Sequence, residues 1–129
     1  MSITENKQIM LSKKVWAVIG ATPDQGKFGY KIFQKLKRKG YHVYGINPKY
    51  NDLEGTPLYS SIKDLPEMPE CVDVVVNPKL ALGALDEIHQ AGIQYVWFQP
   101  GTYDEAVLEK AAALGLKVVY NDCVLVALA

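Results

Sequence analysis

The chain has 129 residues, 49% of them hydrophobic and 22% charged, which fits one compact domain burying roughly 65 to 70% of the surface its unfolded form exposes. Fourteen lysines and arginines balance fourteen aspartates and glutamates, so there is no global field to gather nucleic acid or anionic lipid. Cys71, Cys123, His42 and His89 lack metal-ligand spacing, no apolar run approaches the roughly 18 residues of a membrane helix, and the opening MSITENKQIM lacks the basic-then-apolar order of a secretion signal. The expectation is a cytoplasmic protein without metal, membrane or nucleic-acid partners, in which any anionic ligand is caught locally.

Residues 1–12 read as an extension able to form a short helix, ahead of a single domain over 13–129. KVWAVI, 14–19, is a β-branched apolar run suited to a strand buried on both faces. Phe28, Ile32, Phe33 and Leu36 then share one helical face, with lysines turned away and Gly40 as the stop. YHVYGI, 41–46, is a second strand, and the turn-rich NPKYNDLEGTPLYSS that follows predicts a long exposed connection. Ser60 or Ser61 opens a short helix through Leu65, and VDVVV, 72–76, is a third strand closed by Pro78. Leu82, Leu85 and Ile88 stripe a helix ending near Gly92, QYVWF, 94–98, is a fourth strand, and QPG breaks the chain. Asp104 and Glu105 suit the start of a third long helix, which runs to Gly115 ahead of a fifth strand, LKVVY.

Strands alternating with helices require crossover connections, and hence a parallel sheet covered on both faces. The predicted fold is α/β, a Rossmann-like doubly wound five-stranded parallel sheet in three α/β/α layers. In such sheets ligands sit beyond the carboxyl ends of the strands. That singles out the loops at 20–29, 47–50, 77–79 and 99–102.

The first of these loops precedes a helix whose N-terminus offers unpaired N–H groups and the positive end of its dipole, while Gly20 and Gly26 admit a ligand close to the backbone. The dinucleotide fingerprint G-x-G-x-x-G is absent, because Thr22 and Gln25 stand where the second and third glycines belong. After the second strand, Asn47-Pro48-Lys49 replaces the acidic residue that would hold an unphosphorylated ribose. A lysine there suits the 2'-phosphate of a phosphorylated nicotinamide cofactor or the 3'-phosphate of coenzyme A, and spacing alone does not separate the two. The plain alternative is an Asn-Pro turn with a solvated lysine.

Together these segments, over about residues 13–126, resemble the CoA-binding domains, a family that includes the N-terminal domain of the succinyl-CoA synthetase alpha subunit and small stand-alone CoA-binding proteins. The synthetase loop has the form G-x-T-G-S-Q-G-x-F, and here it reads Gly20-Ala21-Thr22-Pro23-Asp24-Gln25-Gly26-Lys27-Phe28. Pro23 and Asp24 replace Gly-Ser. The resemblance implies that Thr22 to Gln25 contact the coenzyme, that the loop backbone faces its phosphates, and that Lys49 answers the lysine after the second strand. It also places Val76, Asn77 and Pro78 beside the coenzyme, and Phe98, Gln99 and Pro100 where the synthetase has T-E-G. The terminal NDCVLVALA resembles the RC segment and apolar stretch of stand-alone members, with Asp122 in place of the arginine.

The synthetase uses a phosphorylated histidine and a second domain, whereas His42 and His89 fall away from the ligand loops, and no carboxylate dyad is spaced for acid-base work. The function expected is therefore binding of coenzyme A or an acyl-CoA, with no catalysis assigned. The module would act alone, as a homo-oligomer, or as a subunit completing an acyl-CoA ligase in trans. An NADP(H)-binding redox enzyme or sensor on the same loops is the alternative.

Overall fold

Val15–Ile19 forms β1, and it pairs in parallel with β2 (His42–Ile46) on one side and β5 (Cys71–Val74) on the other. Because both edges and both faces of β1 are covered, Trp16, Ala17 and Val18 have no exposed surface, which is why its sequence is continuously apolar rather than alternating. The computed structural model describes residues 2–129. The sheet continues as β3 (Asp52–Leu53), β4 (Thr56–Tyr59), β6 (Tyr95–Phe98) and β7 (Lys117–Val119), in the order β3-β4-β2-β1-β5-β6-β7. All pairings are parallel except β3 with β4.

Helices cover both faces, as the crossover argument requires. The amphipathic α2 (Phe28–Arg38) buries Ile32, Phe33 and Leu36 on one face, joined there by Met10 of α1 (Ile3–Ser12) and Val124 of α5 (Val124–Ala127). On the other face α3 (Pro78–Gln90) and α4 (Glu105–Ala113) bury Leu85, Ile88, Val107 and Ala111. The chain moves outward from β1 through β2 to β4, then returns to β5 on the far side of β1. That reversal makes the carboxyl end of β1 the switch point.

The Rossmann-like three-layer architecture is the expected one, with seven strands instead of five. The extra pair lies in the connection read as an exposed loop. Glu54 and Gly55 adopt positive φ angles of 49° and 90°, the backbone a tight two-residue hairpin turn demands, and Leu53 and Leu58 are buried. Strand β4 then extends the parallel sheet beside β2. The short helix expected after Ser60 is a single 3-10 turn, Ile62–Asp64. Residues 3–12 form a full helix, capped by Ser2 and tied to the sheet edge where Asn6 Nδ2 donates to the Val118 carbonyl (3.0 Å).

Asp73 breaks the apolar pattern. It sits on β5 between Val18 and Trp97 in register, has no exposed surface, and neither carboxyl oxygen has a hydrogen-bond partner. Burial pushes its carboxyl well above the usual carboxylate range. The folded protein therefore keeps a proton that the unfolded chain releases above about pH 4, so the stability present at acidic pH is lost as the pH rises towards the folded-state value. Asp73→Asn, which cannot ionise, is expected to exceed the wild type in stability by an amount that grows from about pH 4, by about 1.4 kcal/mol per pH unit until the folded protein ionises. Thermal or urea melts of both proteins between about pH 4 and about pH 8 check this, and a pH-independent difference would exclude the linkage.

Candidate functional site

Three loops meet at the switch point, and their meeting depends on glycine. Gly20 leaves β1 with φ 101°, and a Cβ there would lie 2.4 Å from the Val75 carbonyl oxygen and 3.0 Å from Val76 Cγ1. The loop after β5 thus crosses directly against the loop after β1. A Cβ at Gly29 would lie 2.0 Å from the Gly20 carbonyl oxygen, so the first turn of α2 rests on the strand exit with nothing between them. Close helix-strand packing is the task of the third glycine in a dinucleotide fingerprint. Here it falls to Gly29, the residue directly after the loop that resembles the synthetase.

Between those two glycines the loop is organised by its own side chains. Thr22 Oγ1 accepts from the Asp24 N–H (3.2 Å), Asp24 Oδ1 accepts from the Gly26 N–H (3.1 Å), and the Lys27 N–H donates to the Asp24 carbonyl (3.1 Å). Pro23 and Asp24, the departures from Gly-Ser, thus belong to a stiff turn in which the aspartate accepts locally. Thr22 is buried, while Asp24, Gln25, Gly26 and Lys27 are exposed.

The helix that follows is open at its positive end. Asn77 caps α3 by accepting from the Leu80 N–H (3.0 Å), and Asp104 caps α4 by accepting from the Val107 N–H (2.9 Å). The N-cap of α2 is Lys27, which makes no side-chain capping bond, and no acidic residue lies in its first turn. The leading N–H groups and the dipole of α2 are left for an acceptor from outside the helix.

The loop after β2 is bolted to the same place. Asn47 Nδ2 donates to the Ala21 carbonyl (2.9 Å), and Asn47 Oδ1 accepts from the Lys49 N–H (3.0 Å). Pro48 and Lys49 are exposed, and among the described residues Lys49 enters no ion pair. Val76 lies against Gly20, Asn77 turns its carbonyl oxygen into α3 as the cap, and Pro78 is the first helical residue.

The fourth loop is different. Phe98 is fully buried in the core and presents no side-chain surface to a ligand. Gln99 is only 3% exposed: its Nε2 donates to Cys123 Sγ (3.1 Å) and its Oε1 accepts from the Val124 N–H (3.1 Å). Gln99 therefore fastens the C-terminal segment, helped by the Lys7–Asp122 ion pair (2.6 Å) and by Trp97 Nε1 donating to the Asp122 carbonyl. Pro100 is exposed. The structure brings together the loops at 20–29, 47–49 and 75–78, while the Phe98 and Gln99 side chains serve the core and the tail.

A family model described as CoA binding domain matches residues 14–129. The chain belongs to the CoA-binding domain family. Among relatives, this CoA-binding domain is 32% identical over 120 residues to an ADP-forming acetate–CoA ligase I of Archaeoglobus fulgidus, an overlap covering 85% of this chain and 18% of that protein. It is 29% identical over 119 residues to the alpha subunit of the ADP-forming acetate–CoA ligase II of Pyrococcus furiosus, covering 84% of this chain and 26% of the subunit. The chain thus spans only 18% and 26% of the lengths of these two ligase chains. Among solved structures, a hypothetical protein of Pyrococcus horikoshii superposes with a TM-score of 0.87 at 33% identity, covering 96% of this chain and 87% of that one.

Among the described residues no helix is long and apolar enough to cross a membrane, and no group of three or more His, Cys, Asp or Glu side chains is placed to hold a metal. His42 and His89 are exposed, away from the glycine loop in the chain, and His42 Nδ1 lies 3.5 Å from Glu67.

The two glycines that bracket the helix entry differ in what they guard. A Cβ at Gly26 would meet only Asp24 Oδ1, at 3.5 Å, an ordinary contact. Gly26→Ala is expected to keep stability within about 0.5 kcal/mol of wild type, whereas Gly29→Ala is expected to lose about 2 kcal/mol or more, because a backbone carbonyl stands in the way. Urea unfolding of the two variants checks this contrast, and similar losses at both positions would contradict it.

Proposed function

We propose that the protein binds coenzyme A or an acyl-CoA at the carboxyl edge of the sheet, with a diphosphate against the glycine loop and the uncapped start of α2. The observation that carries this reading is the open N-terminus of α2, whose first turn lies on the Gly20 carbonyl and is served by no carboxylate of its own. Membership of the CoA-binding domain family supports the choice of coenzyme. Lys49, exposed and without an ion-pair partner among the described residues, would receive the 3'-phosphate. Lys27 adds a second cation at the helix entry. Thr22, Asp24 and Asn47 shape the loops, so ligand contacts would come mainly from backbone N–H groups and from Gln25. No reaction is assigned to these residues.

A second reading places the same module in a larger assembly, as a subunit that completes an acyl-CoA ligase in trans. It is favoured by the match to a ligase alpha subunit, of which this chain covers 26%. Exposed Phe28 and Leu80, at the N-termini of α2 and α3, flank the crevice and offer apolar surface for a covering partner.

Calorimetric titration with coenzyme A, dephospho-coenzyme A, NADPH and NADH tests the first reading. Coenzyme A is expected to bind best, and either loss of its 3'-phosphate or Lys49→Ala is expected to weaken it about tenfold, about 1.4 kcal/mol. Affinity for NADPH equal to that for coenzyme A would overturn it in favour of a nicotinamide-dependent protein.

A further inference from the structure

Glu54 lies at the tip of the β3–β4 hairpin, in the left-handed region that non-glycine residues seldom enter. From there its carboxylate accepts three hydrogen bonds: Oε2 from Gln25 Nε2 (2.9 Å) and from the Tyr30 hydroxyl (2.9 Å), and Oε1 from Gln34 Nε2 (3.0 Å). Tyr30 and Gln34 belong to α2, but Gln25 belongs to the glycine loop. The hydrogen bond to Glu54 also raises the Tyr30 phenol above its ordinary value. The hairpin therefore does more than lengthen the sheet: its turn residue reaches over α2 and grips the anion loop from the side.

A carboxylate accepts hydrogen bonds and does not donate them, whereas a glutamine amide has a donating and an accepting end. Contact with Glu54 therefore fixes which end of Gln25 is free. Its Nε2 is turned to Glu54, and Oε1 has no hydrogen-bond partner among the described residues. We infer that Glu54 is a positioning residue that sets the polarity of Gln25, so that Gln25 offers the ligand an acceptor and reads an N–H donor on it, while phosphate is left to the backbone and the lysines. This rests on the reading that coenzyme A occupies the loop. The coenzyme carries two kinds of N–H donor, the exocyclic amine of adenine and the amides of the pantetheine arm, and both suit a carbonyl oxygen.

Calorimetry on the whole protein with three ligands separates these sources: coenzyme A, its 6-deamino analogue, in which hydrogen replaces the adenine amine, and adenosine 3',5'-bisphosphate, which lacks the pantetheine arm. Gln25→Ala is expected to weaken coenzyme A roughly tenfold and to leave unchanged the affinity of whichever ligand lacks the donor. Glu54→Ala is expected to weaken coenzyme A as well, with no added loss in the Gln25→Ala background, because the two residues act as one unit. Tyr30→Phe and Gln34→Ala, which remove bonds to Glu54 without touching Gln25, are expected to stay within about twofold of wild type. Equal losses on all three ligands would put Gln25 on a shared phosphate or ribose and overturn the inference, as would additive losses in the double variant. If the wild type fails to bind coenzyme A, the proposed function falls; the tie itself is then read without ligand from the Gln25 side-chain amide signals in nitrogen-15 NMR. Those signals are expected to be protected in the wild type and exchange-averaged in Glu54→Ala, and unchanged signals would overturn the positioning role.

Discussion

The contact on which the site depends is the one between the first turn of α2 and the last carbonyl of β1's exit. With only a hydrogen at Gly29, the helix can settle on Gly20; any side chain there would meet that carbonyl at 2.0 Å. The same closeness presses Val75 and Val76 against the other side of Gly20, and it brings the start of α2 into the crevice that the strand order creates. Neither the helix dipole nor the loop backbone would be available at the switch point if α2 stood off by the width of a methyl group. The apolar stripe of Ile32, Phe33 and Leu36 supplies the attraction, and the two glycines determine how close it can draw the helix.

Charge is handled differently on the two sides of that contact. Carboxylates near the loop are engaged at home: Asp24 on the Gly26 N–H, Glu54 on Gln25, Tyr30 and Gln34. The cations Lys27 and Lys49 carry no such engagement, so within a chain of zero net charge they stay available to an anion at short range. An anion approaching the protein meets no long-range attraction, only a short-range site.

Legibility in the sequence followed the length and regularity of each signal. The KVWAVI strand, the Phe28–Leu36 helix and the order of crossovers were visible because long apolar patterns with glycine stops are hard to satisfy any other way. The β3–β4 hairpin was hidden because each strand contributes only one buried leucine, Leu53 and Leu58, inside a segment rich in turn formers. Period-two alternation cannot be seen in strands of two and four residues. The hairpin turn at Glu54-Gly55 was the available signal, since Gly in the second turn position permits positive φ. Gly29 is hidden in the sequence for another reason: the fingerprint's spacing runs from Gly20, and a longer loop moves the packing glycine along the helix without changing its task. The Phe98 and Gln99 side chains are committed to the core and the tail, which the motif alone does not show. Their strand ends where a ligand loop should begin, but a C-terminal segment that folds back on the sheet claims the Gln99 amide.

Asp73 shows how an unfavourable residue is accommodated in a sheet of this kind. Its neighbours in register, Val18 and Trp97, are fully buried and offer it no hydrogen bond, so burial shifts the carboxyl towards its neutral, protonated form, the form the strand tolerates. The cost is carried by the stability of the fold, one residue before β5 ends and three before Val76 reaches Gly20. A central strand held between β1 and β6 along its whole length can absorb such a penalty without moving, because displacing it would break pairings on both edges at once. Edge strands such as β7 or the β3–β4 hairpin have no such reserve. A crevice meant to keep its shape therefore belongs where it is found, over the strands paired on both sides.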